Sequence, residues 1–144
     1  MTMKRCEATV VIGISCVAVL CAAAAAENDR SGIASLHARV ITPASDALFQ
    51  AESTSPATPD AWEKVAARAA ELARGAEALE SLESVKGQEQ WLQFARTLAA
   101  KARQAARSAR AKNQDALVSA NGEIVSVCED CHAKYRDAGR SMKE

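Results

Sequence analysis

The chain predicts an all-α fold, an antiparallel up-down bundle of four helices, and three observations carry that expectation. Every long segment after Asn28 places apolar residues at three- and four-residue spacing, the period of one helical face. No stretch alternates apolar and polar positions through β-branched residues, as a half-buried strand would. The breaks between periodic segments are mostly short, and helices of about 20 residues, each about 30 Å long, become antiparallel neighbours when so joined.

The first helix is expected from Arg30 to Ala51, with Ile33, His37, Val40, Ala44 and Leu48 on its inner stripe. Pro43 falls inside it, where a proline costs about 3 kcal/mol in a regular helix. The expectation there is a kink, or a restart in which Thr42 caps and Pro43 takes the first turn. A turn-rich linker from Ser53 to Pro59 follows. Thr58, Pro59 and Asp60 then read as cap, first-turn proline and dipole-matching carboxylate. The second helix carries Trp62, Val65, Ala69, Leu72, Ala76 and Leu79 inward and ends in the polar run through Ser84 and Gly87.

The third helix is expected from Gln88 to Ala111, turning Trp91, Phe94 or Ala95, Leu98, Ala102, Ala105 and Ala109 inward. Lys101, Arg103, Arg107, Arg110 and Lys112 read as a solvated basic face near a helix C-terminus. Asn113 caps the last helix, with Asp115 in its first turn. Leu117, Ala120, Ile124, Val127 or Cys128, Cys131 and Tyr135 follow on one line, so both cysteines face inward.

The chain of 144 residues fits one domain, expected at 27–144. Its first 26 residues read as a secretory signal peptide: Lys4 and Arg5, an apolar run from Val10 to Leu20, then small-residue cleavage frames ending near Ala26. Bulky Leu20 before Cys21 argues against lipidation, and the apolar run is short for a spanning helix. Export to the periplasm without membrane insertion is expected; an uncleaved signal would tether the chain instead. Charge is balanced at 18 basic and 18 acidic residues, so nucleic acid and anionic membranes have no electrostatic claim as partners. Aromatics make up only 3% of positions in an alanine-dominated apolar inventory, leaving few bulky groups to fill a core.

Cleavage would remove Cys6, Cys16 and Cys21 and leave Cys128 and Cys131, both in Cys128-Glu129-Asp130-Cys131-His132. That pentapeptide is the haem c attachment pattern. On a helical turn, thiols three apart can add to the two vinyl groups along one porphyrin edge while the adjacent imidazole reaches the iron. Other readings each lack a part. A structural zinc site needs four ligands, and beyond these three the mature chain offers one further histidine. A thioredoxin-type dithiol opens a helix after a strand, and a plain disulfide leaves His132 unexplained.

With VCEDCHAKYR at 127–136, and more weakly VITPASDALF at 40–49 and TPDAWEKVA at 58–66, the chain resembles the cytochrome c′ superfamily over nearly its whole mature length. The resemblance implies one covalent haem on Cys128 and Cys131, His132 as proximal iron ligand, Arg136 beside the proximal imidazole, and homodimers that pair through first helices. Relatives either leave the distal face open and bind small gases or close it with a first-helix methionine and carry electrons. This chain departs from both, since Met142 is the only methionine left after cleavage. His37 stands in the corresponding stretch, on the inner stripe, and is expected as the distal ligand. Two imidazoles would keep the iron low-spin at a lowered potential. The expected function is therefore single-electron transfer with redox protein partners, with binding of NO or CO at a displaceable site as the alternative. No second catalytic constellation argues for an enzyme.

Overall fold

The computed structural model describes residues 32–137. The expected signal segment 1–26, its cleavage point near Ala26, and Met142 lie outside the described residues. Helical backbone over 32–36 opens into a wide turn at His37–Ile41 and continues as an α-helix over Thr42–Ser53; the three segments together are α1. In the wide turn Thr42 N–H donates to the carbonyl of His37, five residues back. The cause is Pro43, which has no N–H to give Arg39 and whose ring would collide with that carbonyl. Thr42 keeps helical dihedrals (φ −60°, ψ −53°), so it does not act as the extended cap of a restarted helix.

The buried face of α1 differs from the expected stripe. Ile41, Ala44, Leu48 and Ala51 are buried, whereas Val40 is only half-buried. Opposite this turn sits buried Gly75, where a Cβ would lie 3.0 Å from Val40 Cγ1 and 3.2 Å from Ile41 Cγ1. The glycine is what lets the two backbones approach this closely.

Helix α2 spans Pro59–Glu80, opened by Thr58, whose hydroxyl accepts from Ala61 N–H at 3.2 Å. All six residues of its expected stripe are buried. A single tight turn at Glu83–Val85 buries Val85, and Gly87 at φ +78° redirects the chain into α3, Glu89–Arg110. Trp91 Nε1–H donates to Leu79 O at 3.1 Å, fastening the start of α3 to the end of α2. Of the two candidates on α3, Ala95 is buried and Phe94 half-buried.

Helix α3 ends with Lys112 at φ 54°, where Asn113 N–H reaches back to Ser108 O and Lys112 N–H to Ala109 O. That pattern satisfies carbonyls left open by the helix end, with lysine in a position glycine usually holds. Helix α4 spans Gln114–His132; the Asn113 side chain caps it, accepting from Ala116 N–H at 3.0 Å. A second wide turn, Ala133–Asp137, follows it directly.

Consecutive helices pack side by side, and α1 also packs on α4, so the four form a helical bundle with one buried apolar cluster. Two amides of α4 join it to the C-terminal end of α1. Gln114 Nε2 donates to Ala51 O at 3.0 Å and Glu52 O at 3.2 Å; fully buried Asn121 donates to Leu48 O at 3.0 Å and Glu52 Oε2 at 3.2 Å. Part of the expected solvated basic face of α3 is paired between helices. Lys101 binds Glu123 at 2.9 Å and Arg103 binds Glu77; Arg96, outside that face, binds Glu80 at 2.7 Å. No described helix is long and apolar enough to cross a membrane, and no strand occurs among the described residues.

Candidate functional site

The last turns of α4 carry Cys128, Cys131 and His132, and the wide turn of α1 carries His37. Cys128 lies three residues before Cys131 and four before His132, so all three fall within about one helical turn. Both thiols are half-buried, Cys128 packs against the core, and neither forms a disulfide. Their spacing follows from the same periodicity that buries Leu117, Ala120 and Ile124 earlier on α4.

His37 and His132 meet across the α1–α4 contact with ring centroids 5.7 Å apart and planes tilted by 45°. The two histidines of the described chain, 95 positions apart in sequence, are thus neighbours in the fold. Arg136 Nη1 lies 3.3 Å from Nδ1 of His132. A guanidinium can only donate, so the contact is a hydrogen bond in the tautomer whose Nδ1 is free to accept. Arg136 is exposed and reaches back one turn, as expected for a residue four positions on.

The site lies beside an aromatic group that the sequence reading left unassembled. Tyr135 packs edge-on to Trp91, with centroids 5.0 Å apart, and to Phe94 at 6.4 Å. The wide turn at Ala133–Asp137 carries Tyr135 within its span, and Lys134 in the same turn bonds Gln90 Oε1 at the start of α3. Beyond them, Val127, Asp130 and Lys134 line an open groove of about 530 Å³ with Gln90, Gln93, Phe94 and Thr97.

Burial weighs on the charge of His37, Cys128 and Cys131. Burial, then the charges of His132 and Arg136, hold the His37 imidazole below its ordinary pKa. Burial, then Glu129, raises the Cys128 thiol; burial, then neighbouring Cys128, pushes Cys131 up to about 11. Burial therefore favours an uncharged imidazole at His37 and protonated thiols at Cys128 and Cys131. Among the described residues, no group of three or more His, Cys, Asp or Glu side chains could hold a bare metal ion.

No protein-family model matches the chain, and neither a curated protein nor a solved structure was found to be similar to it.

Proposed function

We propose that this chain is a c-type cytochrome of the cytochrome c′ superfamily, an antiparallel four-helix bundle that carries one covalent haem and passes single electrons between protein partners in the periplasm. The observation that carries the reading is the pairing of His37 with His132 next to Cys128 and Cys131. Two metal–imidazole bonds of about 2 Å each, together with the radii of two five-membered rings, hold ring centroids roughly 6 Å apart. The centroids here are 5.7 Å apart, close to that requirement before any group is bound.

The residues fit a haem in kind as well as in spacing. Cys128 and Cys131 would hold it by thioethers, His132 would be the proximal ligand and His37 the distal one. The haem supplies one-electron chemistry when bound. Neutral imidazoles are the ligating form, and burial favours that form at His37. Arg136, whose Nη1 lies 3.3 Å from Nδ1 of His132, would leave Nε2 of that ring as the nitrogen to hold the iron. The Trp91–Phe94–Tyr135 group contributes apolar and aromatic surface beside the motif, of the kind a flat macrocycle packs on.

The deciding experiment is an absorption spectrum of periplasmically matured protein, oxidised and reduced, with and without carbon monoxide, on wild type and His37→Ala. The expected result is a low-spin wild type that carbon monoxide leaves unchanged and a His37→Ala protein that turns high-spin and binds it. A wild type that binds carbon monoxide at once would replace electron transfer by gas binding. Absence of haem bands would refute the whole reading.

A further inference from the structure

We infer that Pro43 is a positioning residue for His37: by forcing one extra residue into the turn above it, Pro43 rotates His37 out of the bundle interior and toward His132 on α4. The inference rests on the ligand reading only for its consequence at iron; the geometry stands on the backbone. Thr42 N–H bonds to His37 O, five residues back, where a regular helix would join residues four apart.

In an uninterrupted helix, His37 would lie at i−4, i−7 and i−11 from Ile41, Ala44 and Leu48, all of them buried. It would share their face and point into the middle of the bundle. One added residue turns everything upstream by about 100° relative to that face. His37 then takes the direction that residue 38 would have had. On α1 that direction is the side of Glu52, whose carboxylate accepts from Asn121 of α4. The place His37 gives up passes to Leu36, which packs against the core from one residue earlier.

Two further features hold the turn in this phase. Gly75 leaves room for Val40 and Ile41 directly opposite, so the widened backbone seats against α2 without a clash. Below the turn, Asn121 and Gln114 bond to carbonyls of α1 and fix its C-terminal half on α4. The rotation is therefore confined to the segment that carries His37.

The test compares full-length wild type, Pro43→Ala, and the triple variant His37→Ala, Ala38→His, Pro43→Ala. An alanine at 43 supplies an N–H for Arg39 O and removes the ring that excludes it. Crystal structures of the isolated proteins should show that bond formed in Pro43→Ala, the Thr42–His37 bond lost, and the ring of residue 37 turned away from His132. In the triple variant the imidazole at 38 should return beside His132.

Spectra give the second readout. Matured Pro43→Ala should gain a high-spin fraction and bind carbon monoxide at least tenfold faster than wild type, and the triple variant should recover the low-spin spectrum. A Pro43→Ala structure that keeps the wide turn, or one that loses it with His37 still on His132, overturns the inference. If the structures change as described while all three spectra agree, the iron reading of His37 fails and the positioning inference survives.

Discussion

At the scale of single residues, the motif was readable because its chemistry lies within one pentapeptide, whereas the partners of that motif are distant in sequence. His37 could be named from its stripe and its type, yet its contact with His132 depends on how α1 meets α4. Asn121 was not singled out: an asparagine among the buried residues of α4 carries no signal until Leu48 O and Glu52 are seen opposite it. Its Oδ1 and Gln114 Oε1 are buried with no protein partner, which marks both amides as specifying how α4 sits on α1 more than as adding to stability. The lowered pKa of His37 makes a pH prediction at this scale. The unfolded chain takes up a proton near pH 6.5 and the folded chain only at lower pH. Folding stability contributed by this group is thus full above that value and lost as pH falls below it. In the Cys128→Ala, Cys131→Ala protein, urea midpoints at pH 7.5 and pH 5.5 should differ more than they do when His37→Gln is added. Equal differences in the two proteins would remove burial of His37 as an acid-sensitive element.

Elements were legible where period and caps agree. Thr58 and Asn113 cap as their types and positions predict, and the stripes of α2 and α3 are buried as read, because no backbone irregularity interrupts them. The first helix was legible only in part. Pro43 signals an irregularity, but a kink, a restarted helix and a wide turn all satisfy a missing N–H, and only the last adds a residue to the turn that carries His37. Nothing in the local sequence at 133–137 signals the second wide turn. Nor does a glycine within a helix announce what it faces. Gly75 reads as a weak point in α2, since glycine there costs about 1 kcal/mol relative to alanine, and its role appears only when Val40 and Ile41 arrive opposite. Gly75→Val should therefore lower stability by about 1–3 kcal/mol through overpacking, despite replacing a poor helix former. Gly75→Ala should stay within about 1 kcal/mol of wild type, as gained helix propensity offsets a Cβ contact at 3.0 Å. Chemical denaturation of both variants checks this, and a Gly75→Val protein as stable as wild type would show that α1 moves aside freely.

Across the whole molecule, burial is uneven along the bundle, and the unevenness coincides with the candidate site. Leu48, Leu72, Leu117, Ile124 and many alanines form a tightly closed stretch, because small side chains allow helices to approach closely. Toward the motif, Ile33, Leu36, His37, Val127, Cys128, Cys131, His132 and Tyr135 are all only half-buried. Low aromatic content foreshadowed an interior short of bulk, but sequence alone could not say which end would be short, since that follows from where Pro43 turns α1 and where α4 stops. Local opening should follow the same gradient, as backbone amides over a thin apolar layer exchange with less protection than those over a closed core. Hydrogen exchange of the Cys128→Ala, Cys131→Ala protein should thus be fast over 32–41 and 127–137 and slow over the middle turns of α2 and α3. In matured protein the same two segments should slow by at least tenfold while the middle turns change little. Uniform slowing along all four helices would mean that the group stabilises the bundle globally; no slowing at 32–41 would mean that α1 takes no part in holding it.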